Sequence, residues 1–383
     1  MSFEFCKVSV LTAIFFSLML PLAAVEHEEE APSHECTSWL LFPDMTGENT
    51  TILHKSRDSQ NKNVFVSMND NGGRKWIGLG GKDLPCMAFN SSGLAGVMNG
   101  GEKCTDISKN PNGKSTPQQL LEIISTCDTA KQATDKLVEF IKNKDYIPRQ
   151  QGSIFFFADT KEGYIIEFTA NYYNVQKCDT GYVSRANIWH HPGMEKYALT
   201  DYRVFLIEAT REFVIRQTFN EAYRKNGKVT IEDIINLSRV ANTPKGAPNN
   251  RSLCCSWTNS TASFVIDRDY PDVLSTAYMS VGHPRHTVVL PFPICLKQIP
   301  AELTDAAWAG KSYARLKVLK TRSEVPAPWL AFEKESLGAY KTALAQAREM
   351  LKKGDRKGAV ELLNNSFESI WQKARVLPGI EGK

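Results

Sequence analysis

The chain has 383 residues, 42% hydrophobic and 23% charged, with a formal net charge of only +4. That is ordinary globular composition, long enough to bury a core in one large domain or two smaller ones. No block of Lys or Arg stands out, so neither nucleic acid nor an anionic membrane surface is expected as a partner.

Residues 1–24 are expected to form a signal peptide. Lys7 precedes the apolar run VLTAIFFSLMLPLAA, and Leu22-Ala23-Ala24 offers a cleavage site before Val25. The run is short for a membrane span, acidic VEHEEE follows it, and no Leu-x-x-Cys lipoprotein box is present. Export to the periplasm or the extracellular space is expected, without stable membrane insertion. Residues 25–35, acidic and proline-containing, form a poor core segment and a good removable spacer ending at Glu35.

From Cys36 the pattern turns β-like. CTSWLLF, TTILHKS, NVFVSMN and KWIGLGG are short apolar or alternating runs, and MAFNSSGLAGVMN reads as two strands around Asn-Ser-Ser-Gly. Residues 117–143 switch to a helical period, with Pro117 in the first turn of one helix and Asp128 as cap of the next. Strands return in SIFFFADTKEGYIIEFTANYYNV and GYVSRANIW. Residues 197–224 are expected to be helical, and Thr230 with Asp233 forms a capping box for TIEDIINLSRVAN. SFVIDRDYP, LSTAYMSVG and HTVVLPF read as the last strands. From about Phe332 the tail reads as a helical hairpin broken at Gly354-Asp355. Strict β-α-β alternation, GxGxxG and GKS/GKT loops are all absent, which argues against dinucleotide-binding and P-loop folds.

Nine cysteines are scattered along the chain without a CxxC pair. Export favours disulfides, so Cys36, just behind the spacer, is either half of a bridge or a residue waiting to become the N-terminus. In the second case its thiol is the nucleophile. The freed α-amine, with a reference pKa of roughly 7.7–8.0, is a base at hand without any histidine. The same thiol can attack the Glu35 carbonyl and shift the acyl group from N to S, so that water releases the spacer.

Such chemistry needs cations beside the sulfur and a carboxylate for the amine. HKSRDS supplies Lys55, Arg57 and Asp58, though a solvated charged turn has the same composition. NSSGLAGVMNGG ends a strand at Asn99, whose backbone N–H suits an oxyanion, and RANIWHHP offers Asn187. Asparagine is also common at strand ends for purely local reasons. Zinc is not expected: adjacent histidines such as His190-His191 seldom share a metal, and His283-x-x-His286 (HPRH) lacks the HExxH glutamate and is interrupted by proline. Neither metal nor cofactor is expected. The papain signature is absent.

CTSW, the K-x-R-D segment about twenty residues later, N-x-x-G-L-A-G-x-x-N and A-N-x-x-x-H-P together resemble the cysteine-type N-terminal nucleophile (Ntn) hydrolases. The nearest branch is similar to the isopenicillin-N acyltransferase and carcinine hydrolase-like group. The resemblance covers Cys36 to about Pro300. It implies an α+β fold, a four-layer αββα sandwich assigned to residues 36–330; the helical tail lies outside the resemblance, and its own pattern makes residues 331–383 a helical C-terminal extension. The resemblance also implies self-cleavage between Glu35 and Cys36, Asp58 orienting the new amine, and an oxyanion hole from the Asn99 backbone and the Asn187 side chain. The family usually has an arginine three residues before that aspartate. Here Lys55 fills the position and an arginine is displaced to Arg57, while Arg251 in NNRSLCCSW matches a later family arginine loosely. The function implied is an exported amidohydrolase or N-acyltransferase acting on a small-molecule linear amide through a thioester. A homo-oligomer is left open. The alternative is an exported binding or structural protein on the same scaffold, with Cys36 in a disulfide.

Overall fold

In the computed structural model, which describes residues 36–71, 74–199, 202–243, 247, 252–319 and 324–378, the β-like runs fold into two antiparallel sheets. The leader and spacer expected over residues 1–35, Glu35 included, and Arg251 lie outside the described residues. The strands are β1 (Cys36–Leu41), β2 (Thr50–Asp58), β3 (Phe65–Asn71), β4 (Arg74–Gly81), β5 (Leu84–Asn90), β6 (Ala95–Lys103) and β7 (Gln151–Ala158). They continue with β8 (Gly163–Phe168), β9 (Tyr173–Cys178), β10 (Tyr182–Arg185), β11 (Thr258–Asp267), β12 (Thr276–Val281) and β13 (Val289–Pro293). One sheet runs β10-β1-β2-β11-β12-β13, and the other runs β3 to β9 in chain order.

The helices are α1 (Pro43–Thr46), α2 (Thr116–Thr126), α3 (Ala130–Lys142), α4 (Tyr202–Asn226) and α5 (Ile231–Ser238). After them come α6 (Pro271–Leu274), α7 (Ala301–Thr304), α8 (Ala307–Leu319), α9 (Ala327–Lys352) and α10 (Arg356–Ala374). No described helix is long and apolar enough to cross a membrane.

All six residues of β1 are buried, so both faces of the strand must be covered. Side chains alternate along a strand. Ser38 reaches Asn99 of the second sheet, and Leu40 lies where a Cβ on Gly163 would meet it. Trp39 points the other way, stacked on His54 and edge-on to Phe219 of α4. Register carries that outer face across the sheet through Trp39–His54, His54–Ser263 and Ser263–Tyr278, and Tyr278 packs edge-on to Tyr340 of α9. Between the sheets, Phe89 meets Phe264. On the far side of the second sheet, Leu120, Ile123 and Leu137 of α2 and α3 bury against Phe155, Phe157 and Phe168. Two apolar contacts thus fix the second sheet, one on each face.

Some elements differ from expectation. Thr129, not Asp128, caps α3, its Oγ1 accepting the Gln132 N–H. The Asp128 carboxylate instead takes the Arg74 guanidinium and the Ser92 hydroxyl. The helix expected from 197 begins at Tyr202, after a 3₁₀ turn over Glu195–Tyr197. Helix α8 was not foreseen because its buried side carries Ala309 and Ser312 beside Trp308 and Tyr313, too weak an apolar stripe to signal a period. The small residues are needed there. Gly282, at φ +107, would place a Cβ 2.2 Å from Ser312 Oγ, an approach and a backbone conformation that only glycine accommodates. The expectation of export favoured disulfides, yet the eight described cysteines, Cys36 among them, are free thiols.

Candidate active site

The register of β1 and β2 builds the centre of the site. Cys36 lies opposite Arg57 and Ser38 opposite Lys55, and directly opposed residues share a face. Cys36, Ser38, Lys55 and Arg57 therefore face the second sheet, while Asp58, one residue on, turns toward α4. There it is buried, accepting from Arg211 Nη2 at 2.7 Å and from Thr258 Oγ1 at 2.6 Å. Arg211 also donates from Nη1 to the Cys36 carbonyl at 3.3 Å. The charged turn expected as an alternative is thus a buried, paired arrangement.

Cys36, Lys55, Arg57 and Asp58 line one cavity of roughly 550 Å³. Its remaining wall comes from Cys86 of β5, the end of β6, the start of α2 and the segment leading into β7, including Met98, Gly100, Lys103 and Arg149. Lys55 is fully buried, and its Nζ donates to Met98 O and Asn99 Oδ1, both at 2.7 Å. Arg57 is only partly buried, with a long 3.5 Å contact from Nη1 to Asn259 Oδ1. Arg57 is the less committed cation and the one opposite the thiol.

Asn99 and Asn187 both reach this centre through their side chains. Asn99 Oδ1 accepts from Lys55 and from Ser38 Oγ, and its Nδ2 donates to the Arg185 and Ala186 carbonyls. It therefore ties β1 and β2 to the segment that carries Asn187. Asn187 Oδ1 accepts the Cys36 backbone N–H at 2.9 Å, and its Nδ2 donates to Gly100 O at 2.7 Å. The thiol-bearing residue is thereby held at both backbone ends, at N by Asn187 and at O by Arg211.

What orients Asn187 was invisible to sequence reasoning. Six consecutive backbone N–H groups, Ala186 to His191, donate to three buried carboxylates. Glu208 takes Ala186, Asn187 and Ile188, Glu102 takes Trp189, and Glu167 takes His190 and His191. Glu167 is also paired with Arg185 at 2.9 Å. Gly152 completes the fit, since a Cβ there would come within 2.1 Å of the Trp189 ring. One signal was readable in α4. Ile207, Arg211, Val214, Ile215 and Phe219 follow helical spacing, so the arginine falls on the buried stripe, and a buried charge requires a partner.

Removing Glu208 should loosen this segment. Glu208→Ala leaves three buried N–H groups without acceptors, each worth about 1–3 kcal/mol. The expected result is a chain destabilised by roughly 3 kcal/mol or more, with Asn187 displaced from Cys36. Urea unfolding checks it, and a variant as stable as wild type would contradict the assignment.

Burial, reinforced by Glu208 and Glu167, pushes the Glu102 carboxyl up from 4.5 to about 7, against the opposing pull of the Trp189 N–H and His190. A raised carboxyl pKa means that ionisation is disfavoured in the folded state. Its contribution to stability is fully present below about pH 4.5 and is lost as pH rises through about 7. Wild-type Tm should therefore fall relative to Glu102→Gln between pH 5 and 8, by roughly 2–4 °C for about 1 kcal/mol. Parallel melting curves across that interval would refute it.

Among the described residues, His190, Glu208 and Glu212 alone bring three such ligand atoms within 4.8 Å of one another. Both Glu208 oxygens accept backbone N–H groups, so this carboxylate holds the loop. The ring of His190, 3.5 and 3.4 Å from the two carboxylates, has a raised pKa, with Glu208 and Glu212 outweighing burial. His283 behaves oppositely. Burial lowers it to about 3, Nδ1 accepts the Arg285 N–H, and Nε2 lies 3.2 Å from Cys255 O, which fixes a neutral ring. Burial pushes the neighbouring Cys254 thiol upward, so this pair is not an activated one.

No family model matches the chain, and no curated protein matches it. Among solved structures it is similar to a mutant conjugated bile acid hydrolase from Clostridium perfringens, at 13% identity and a TM-score of 0.43, covering 67% of this chain and 92% of that one. It is also similar to penicillin V acylase from Agrobacterium tumefaciens, at 13% identity and a TM-score of 0.42, covering 67% of this chain and 86% of that one. Likenesses this distant transfer neither a residue role nor a substrate.

Proposed function

We propose that the chain is an exported, self-processed Ntn amidohydrolase of the cysteine type, with Cys36 as nucleophile and N-terminus. The observation that carries this reading is the free Cys36 thiol, which lines a cavity with Lys55, Arg57 and Asp58 while Asn187 and Arg211 hold its backbone. Two antiparallel sheets with helices packed against their outer faces support an αββα sandwich, and the packed pair α9 and α10 supports a C-terminal extension.

In this mechanism the Cys36 thiol first attacks the Glu35 carbonyl, the peptide shifts from N to S, and water frees residues 25–35. The new α-amine then takes the thiol proton as sulfur adds to a substrate amide carbonyl. Arg57 and Lys55 offset the charge of the attacking sulfur. The Asn99 backbone N–H and the Asn187 side-chain amide stabilise the tetrahedral oxyanion, roughly 3–4 kcal/mol per donor. The C–N bond breaks, the amine departs with the proton from the α-ammonium, and a thioester remains on Cys36. Water releases the acid, or a second amine takes the acyl group. No step calls for a metal or cofactor.

The test is intact-mass and N-terminal analysis of the exported protein, with turnover measured on a panel of small amides. A chain beginning at Cys36 and cleaving amides is expected. A chain that keeps residues 25–35, with Cys36 consumed in a disulfide, would instead favour the binding-protein alternative.

A further inference from the structure

We infer that the cavity takes amides bearing a carboxylate, with Arg149 as the residue that grips it. The inference rests on the amidohydrolase reading and names the substrate class for that site. The cavity is lined by four basic side chains, Lys55, Arg57, Lys103 and Arg149, and by one acidic side chain, Asp58. The Asp58 charge is already matched by Arg211, with both side chains buried. Among the described residues, none of the four cations has a carboxylate oxygen within 4.0 Å. The cavity therefore carries an excess of positive charge in walls that also include Met98, Pro117 and Ile147. A cleft of one sign with low-dielectric walls concentrates the opposite charge.

The four cations are not equivalent. Lys55 is committed to Met98 O and Asn99 Oδ1, and Arg57 lies beside the reacting sulfur. Arg149 stands on the wall built by the start of α2 and the segment leading into β7. Its Nη1 donates to Thr116 Oγ1 at 3.2 Å and its Nη2 to Gln151 Oε1 at 3.0 Å. These neutral acceptors brace the guanidinium between the start of α2 and β7 without cancelling its charge. The Tyr146 phenol is a further neutral partner of the guanidinium, and its planar fork of five N–H groups suits a carboxylate. A volume of about 550 Å³ suits a small molecule. The substrate that matches is an amide with a short apolar part and one carboxylate, on either the acyl or the amine side.

Iodoacetate and iodoacetamide, nearly equal in size and different in charge, test the cavity without any turnover. Each would be reacted with the wild-type protein, and modification of Cys36 followed by peptide mass spectrometry. The iodoacetate-to-iodoacetamide rate ratio at Cys36 should exceed that of N-acetylcysteine by about 10- to 100-fold, as expected for one charge-assisted contact. It should fall toward the free-thiol value in Arg149→Gln and in 1 M salt, and recover in part in Arg149→Lys. A ratio equal to that of the free thiol, or one indifferent to Arg149→Gln, overturns the inference. Turnover of N-butyrylglycine against N-butyrylglycinamide, and of glutaryl against butyryl p-nitroanilide, then locates the carboxylate. The acid of one pair should be preferred through KM, and the preference should be lost in Arg149→Gln. A high alkylation ratio with none of the four amides cleaved would defeat the amidohydrolase reading and leave the anion-selective cavity standing.

Discussion

Cys36→Ala is expected to retain residues 25–35 and to lose amide turnover by about 10⁶-fold, the scale reached when a hydrolase loses its nucleophile. The loss should be chemical rather than structural. Cys36 opens β1, and the strand is anchored beyond it by Trp39 on His54 and by Leu40 between the sheets. The backbone bonds to Asn187 and Arg211 use the Cys36 N–H and C=O, which alanine keeps. One buried sulfur is removed, a change of about 1 kcal/mol. Mass analysis, turnover and a thermal melt on the same preparation separate these effects. A variant that still matures, or still turns over, would remove Cys36 from the mechanism, whereas a variant that fails to fold would contradict the packing argument.

The second large effect is expected at the Asp58–Arg211 pair. Both side chains are almost fully buried, 2.7 Å apart. Breaking such a pair from one side strands a charge and costs about 3–5 kcal/mol, whereas removing both partners costs much less. Asp58→Asn keeps a group for Thr258 but leaves Arg211 without its counter-charge. Arg211→Met leaves Asp58 in the same position. Each single change should lower stability by several kcal/mol, and the double variant should be more stable than either, a coupling that a double-mutant cycle in urea measures directly. Because Arg211 also holds the Cys36 carbonyl, both singles should slow maturation and turnover. Additive stability losses, or an Asp58→Asn chain that matures and turns over normally, would break the link between this pair and the site.

Several site features were legible because they are local. K-x-R-D closes a β-like run and reads as two cations and a carboxylate beside Cys36, and the neighbouring strand β2 brings all three to it. The Thr230–Asp233 capping box and the Asn-Ser-Ser-Gly turn between β5 and β6 formed as read, since each closes over three or four residues. Local competition also misled. Asp128 and Thr129 are both good caps, and Arg74 and Ser92, distant in sequence, drew Asp128 away.

By itself, then, the sequence determined the strand runs, the charged residues that accompany Cys36 and the order of the motifs that point to a thiol nucleophile. Only the tertiary structure decided what holds them. Cys36 meets Asn187 across 151 residues, and Arg211 meets Asp58 across 153. Glu102, Glu167 and Glu208 converge on the 186–191 segment from two strands and a helix. Backbone preference and hydrophobic period act over a few residues, so they shape elements but cannot choose among distant partners. That choice was made by burial, which forces every enclosed charge and N–H group to find a counterpart wherever the packed sheets bring one within reach.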